Sequence, residues 1–291
     1  MSDSQSIQAS LRSRAAELLA SDQVAELIGW GAGRFPDQTT PLFITQADQA
    51  EGLVYSEYCQ NTLGKYAITE LSELVADQGK LAICVRGCES RGINRMLKDN
   101  QIERDRLYLL GIPCSGMKNR QSGELLSKCM NCSHKNPVIY DELLGETVAE
   151  GEPDRFGAVC ALEECDRASR EQYFDAAFDR CIRCYACREV CPVCTCRECF
   201  VDQHEVGWQG KQGNTTENRF YSLTRAFHIS DRCVECGECE RACPMGLPLM
   251  VLNRKLVKDL DDLFQAGEAG LDAVAVNSLG TYDVADVEEF M

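Results

Sequence analysis

Cys181-x-x-Cys184-x-x-Cys187-x-x-x-Cys191-Pro192 is followed by Cys233-x-x-Cys236-x-x-Cys239-x-x-x-Cys243-Pro244, the same pattern written twice. Each run puts three thiols on one tight turn and holds a fourth aside. That division suits a pair of [4Fe-4S] cubes, in which the displaced fourth cysteine of each run ligates the other cube. The spacing therefore assigns Cys181, Cys184, Cys187 and Cys243 to one cluster, and Cys191, Cys233, Cys236 and Cys239 to a second. Structural zinc sites use two separated Cys-x-x-Cys pairs, and a repeated triple followed by Cys-Pro is not that arrangement. Buried thiols that merely pack would not repeat at all.

Around this stretch the chain has 291 residues, enough for two domains each with its own core. Its 19 cysteines would mean disulfides in a short secreted protein. Residues 1–30 are instead broken by Arg12, Arg14, Asp22 and Glu26 and read as no secretory signal, so the thiols point to metal in a reducing cytoplasm. No run reaches the ~18 apolar residues of a membrane span. The formal charge of −16 argues against nucleic acid and anionic lipid as partners. Other proteins are the expected partners.

Upstream of the repeat, apolar spacing predicts one or two amphipathic helices over 4–28, a strand at Leu42–Thr45 and a helix over Asn61–Ala76. The unbroken apolar runs Leu81–Val85 and Leu107–Ile112, with a helix at Arg91–Leu97 between them, read as a βαβ unit with strands covered on both faces. Open parallel sheets present ligands beyond the carboxyl ends of their strands, and both strands deliver a cysteine there, Cys88 and Cys114. Cys129-Met130-Asn131-Cys132 supplies a pair that could close a four-thiolate site. Spacing alone leaves a cluster, zinc and unligated thiols open for it. The wide gap between the two cysteine runs carries a helix over Glu217–Ile229, marked by Phe220, Leu223, Thr224 and Phe227, and another follows at Leu249–Phe264. The expected fold is an α/β N-terminal domain with a mostly parallel sheet (1–145), a linker (146–175), a mainly helical dicluster ferredoxin domain (176–265) and an acidic tail (266–291). The tail carries Leu271, Val274, Val276, Val284 and Phe290, and reads either as a docking arm or as partly disordered.

The stretch from Arg180 to Cys199, with Phe227-His228-Ile229 and Cys233–Pro248, resembles the beta subunits of the deazaflavin-dependent formate dehydrogenases of methanogens. Val85-Arg86-Gly87-Cys88-Glu89-Ser90, Gln101-Ile102, Tyr108–Met117 and Cys129–Cys132 resemble the segment those proteins share with the beta subunits of deazaflavin-reducing hydrogenases. The resemblance spans roughly 55–257 and implies a third [4Fe-4S] cluster in the α/β domain, with Cys88, Cys114, Cys129 and Cys132 as its ligands. It also implies a flavin (FAD) nearby. The family's glycine-rich N-terminal segment and its Gly-rich, aromatic flavin-side stretch are missing here, which argues against the flavin, and Gly31-Ala32-Gly33 is too short for a dinucleotide loop.

The expected function is electron transfer inside a multi-subunit anaerobic oxidoreductase. The chain would relay electrons between a catalytic partner of formate dehydrogenase, hydrogenase or flavoprotein type and a heterodisulfide-reductase-like acceptor module. The alternative is a flavin-bearing subunit that itself oxidises or reduces a deazaflavin coenzyme. Cys59, Cys84, Cys160, Cys165, Cys194, Cys196 and Cys199 remain: Cys84 reads as a small apolar residue in a strand, while Cys194, Cys196 and Cys199 fit no ligand scheme. His134 reads as a surface histidine, Trp30 and Trp208 as packing residues, and no catalytic constellation is visible.

Overall fold

The computed structural model describes residues 3–74, 79–274 and 278–280. Helix α1 (Asp3–Ala20) buries Ile7, Leu11, Ala15, Leu18 and Leu19, one stripe at helical spacing, and packs on strand β1 (Val24–Ala32). Of the one or two helices expected over 4–28, one forms and it ends at Ala20. Asp22 turns into the left-handed region (φ 54°), and Val24–Ile28 enter a strand. Leu27, Ile28 and Trp30 are fully buried within it. So short a segment fits a helical or a strand period equally, and sheet pairing on both sides decides the matter here.

Strand β2 (Thr39–Ile44) pairs antiparallel with β1. Helix α2 (Tyr66–Glu73) is shorter than the segment expected over 61–76, whose last two residues lie outside the described ones. Strand β3 (Lys80–Val85), helix α3 (Gly87–Lys98) and strand β4 (Leu107–Gly111) form the βαβ unit that the apolar runs predict. With the short β5 (Glu142–Leu143), which the sequence reading missed, the sheet runs β2-β1-β3-β4-β5 and is parallel except at β2. One apolar core joins α1, β1, β3 and β4.

The remainder is helical. Helices α5 (Gly157–Glu163) and α6 (Arg167–Asp179) pack on α10 (Leu249–Phe264) and α8 (Thr215–His228) respectively, so much of the stretch read as linker is built into the helical half. The α8 helix lies where expected, but its faces are reversed. Asn218, Tyr221, Ser222 and Arg225 form the buried stripe, while Phe220, Leu223 and Phe227 are exposed. Trp208 is likewise exposed and does not pack, whereas Trp30 does.

Of the tail, residues 266–274 cross α3. Arg91 donates to the carbonyl of Ala269 at 2.8 Å, and Asn94 donates to the carbonyls of Gly270 and Leu271. Val276, Val284 and Phe290 lie outside the described residues. No helix among the described residues is long and apolar enough to cross a membrane.

Candidate metal centres

Three cavities are each lined by one of the four-cysteine sets. Cys181, Cys184, Cys187 and Cys243 surround the first, with Tyr185 and Tyr221. Cys191, Cys233, Cys236 and Cys239 line the second. Cys88, Cys114, Cys129 and Cys132 line the third. Among the described residues no group of three or more His, Cys, Asp or Glu side chains is arranged to hold a single metal ion.

The two repeats are also repeats in backbone. Arg183 and Tyr185 in the first run, and Glu235 and Gly237 in the second, take positive φ of 50°, 59°, 55° and 66°. Each second member begins a single helical turn, α7 (Ala186–Glu189) after Tyr185 and α9 (Glu238–Arg241) after Gly237. Alternation of this kind curls successive N–H groups into a nest that binds anionic sulfur. The N–H of Arg183 hydrogen-bonds the sulfur of Cys181, and that of Glu235 the sulfur of Cys233. Leu247 N–H lies 3.5 Å from Cys243 Sγ, and Asn253 Nδ2 lies 3.6 Å from Cys239 Sγ.

The third set has the same chemistry on a different scaffold. Cys88 stands in the first turn of α3 after β3, and Cys114 follows β4, as the strand ends predicted. Cys129 lies in the helical turn α4 (Ser127–Met130), and Met117 N–H approaches its Sγ at 3.3 Å; Gly116 N–H approaches Cys114 Sγ at 3.4 Å. Burial raises the Cys88 thiol to about 12 despite Arg86, and burial likewise raises Cys233 and Cys239 to about 12. A bare thiolate is costly in such places, so deprotonation requires a bound cationic group. The donors that converge on the sulfurs fit such a group.

Buried cations complete the setting, and sequence spacing gave no hint of them. Arg86 pairs with Glu89 at 2.6 Å beside the third set. Lys128 pairs with Glu238 at 2.6 Å between the third and second sets, and although burial works the other way, Lys128 and Arg241 hold Glu238 down to about 2. Lys65 reaches from the sheet domain to the carbonyls of Arg188 and Cys194. Cys194 lies beside Cys191, and its hydrogen bond lowers the Cys191 thiol while its own is raised. That gives one leftover cysteine a neighbour in the second set. Cys84 is fully buried in β3, as expected of a small apolar residue, whereas Cys160, Cys165 and Cys196 are exposed. His134 is half-buried rather than on the surface: its Nε2 lies 2.9 Å from Glu268, and its carbonyl accepts from Cys132 Sγ at 3.3 Å.

Residues 177–247 match the family described as 4Fe-4S dicluster domain. The helical region carries a 4Fe-4S dicluster domain. The matched span takes in all eight cysteines of the duplicated runs. The chain is similar to the F420-dependent formate dehydrogenase subunit beta of Methanocaldococcus jannaschii, 23% identical over 77% of this chain and 82% of the relative. It is also similar to the F420-dependent formate dehydrogenase 1 subunit beta of Methanococcus maripaludis, 22% identical over 55% of this chain and 65% of that relative. The first likeness extends far beyond the dicluster domain, into the sheet domain where the third cysteine set lies.

Proposed function

We propose that the chain is an iron-sulfur electron-transfer subunit of a multi-subunit oxidoreductase of the F420-dependent formate dehydrogenase kind. The three cysteine sets would hold three [4Fe-4S] clusters, which supply one-electron transfer when bound. The observation that carries this reading is the place of Cys236. It belongs to the second set and also lines the third cavity, beside Cys88. The second set thus adjoins the third, and its Cys239 has Cys187 of the first set as a neighbour, an order with the second set in the middle.

Exposure follows that order. Cys191, Cys233 and Cys239 are buried, whereas Cys184 is exposed in the first set and Met130 is 60% exposed beside the third. A relay needs a shielded centre and two ends that a partner can approach. The exposed apolar stripe of Phe220, Leu223 and Phe227 supports docking to other subunits, since single soluble domains seldom leave such faces open. We assign the donor side to a catalytic partner and the acceptor side to a module of heterodisulfide-reductase type.

The test is anaerobic purification and reconstitution of the full chain. About twelve irons per chain, four for each set, are expected, with bleaching by a strong chemical reductant and no turnover of nicotinamide or deazaflavin coenzymes. Deazaflavin turnover with stoichiometric flavin would replace this reading with that of a flavin-bearing subunit.

A further inference from the structure

Six cations are buried among the described residues: Arg86, Arg91, Arg95, Lys128, Arg225 and Arg254. Five have a carboxylate within salt-bridge distance, namely Glu89, Glu268, Asp99, Glu238 and Glu235 in the same order with Arg225 passed over. Arg225 is the exception. Its Nη2 donates to the carbonyl of Cys187 at 3.0 Å, and its Nε is buried without a hydrogen-bond partner. A guanidinium stays charged in proteins, and a buried charge with no counter-ion is strongly disfavoured. Cys187 belongs to the first set, and Cys191 and Cys239 of the second are also among the neighbours of this cation, so it is the cysteine turns and not a carboxylate that surround it.

We propose that Arg225 is the internal counter-charge of the two dicluster sites, offsetting the negative charge that each gains on reduction. The proposal rests on the cluster reading above. Its role is positioning of charge and not chemistry, because no substrate comes near it. An adjacent fixed positive charge favours the reduced and more negative form, so Arg225 raises the reduction potential. The sequence placed an arginine in the buried stripe of α8 because the stripe faces clusters instead of an apolar core.

The experiment compares wild type, Arg225→Gln and Arg225→Lys as full-length chains reconstituted without oxygen, with iron content measured first and potentials then read by EPR-monitored redox titration. The expected result is that Arg225→Gln keeps its iron but moves at least one dicluster signal to a more negative potential, while Arg225→Lys titrates near wild type. Loss of iron in Arg225→Gln with retention and a wild-type potential in Arg225→Lys also supports a charge role. An unshifted Arg225→Gln, or an Arg225→Lys that shifts or loses iron as Arg225→Gln does, overturns it. A wild-type chain holding no iron in this half would instead sink the cluster reading itself.

Discussion

Lys128 Nζ lies 2.6 Å from Glu238 Oε2, joining the helical turn that carries Cys129 to the turn that carries Cys239 across 110 positions of sequence. Both side chains are almost wholly buried, at 5% and 2% exposure. Lys128 also donates to the carbonyl of Gln60, and Thr62 N–H and Arg241 reach Glu238, so every charge in this contact is held. The pair fixes the third cysteine set against the second.

Removing one partner leaves the other charge buried and uncompensated. Lys128→Met is expected to destabilise the chain by about 3–5 kcal/mol in anaerobic chemical denaturation. Replacing both, as Lys128→Met with Glu238→Leu, should recover part of that loss, because no lone carboxylate remains. A double variant as unstable as the single one would show that the contact acts through packing alone.

Gly87 opens α3 immediately before Cys88, and a Cβ there would fall on the carbonyl oxygen of His134 and within 2.9 Å of that of Asn136. Both obstacles are backbone and cannot swing away. Gly87→Ala should therefore displace Cys88 and lower the iron content by about four per chain while the dicluster signals persist. Full iron retention would remove Cys88 from the third site.

The crossed pairing of fourth ligands predicts which signal each substitution damages. Cys243→Ala should disturb the cluster of Cys181, Cys184 and Cys187, and Cys191→Ala that of Cys233, Cys236 and Cys239. EPR of the reduced chains reads this directly, and the opposite pattern would require the pairing to be exchanged.

Glu268 holds residues 266–272 to α3 and to the third set. Its hydrogen bond with His134 leads, against the opposing effect of burial, and with Arg91 and Arg155 it brings the carboxyl down from 4.5 to about 2. A depressed carboxyl contributes stability above its unfolded value and loses it as pH falls from about 4.5 towards 2. At neutral pH the contact is at full strength, so Glu268→Gln should speed hydrogen exchange across 266–272 there. Unchanged protection would mean that the carbonyl contacts of Arg91 and Asn94 suffice alone.

What could be read in the chain without its fold was short-range. The duplicated cysteine runs, the apolar runs of the βαβ unit from Lys80 to Gly111 and the start and end of α10 all depend on residues a few positions apart. Spacing within four residues dictates them. Other features depended on partners far along the chain. Val24–Ile28 became a strand because β3 and β2 flank it, and the buried face of α8 proved to be the polar one because it meets the cysteine turns and not an apolar core. Cys236 lies next to Cys88, Lys128 meets Glu238, and Arg225 is buried facing thiols, across separations that no local pattern encodes. The sequence alone marked which cysteines are candidate ligands; the tertiary packing decided that Cys236 stands against the third set and which charges surround it, because burial and long-range contact exist only in the folded chain.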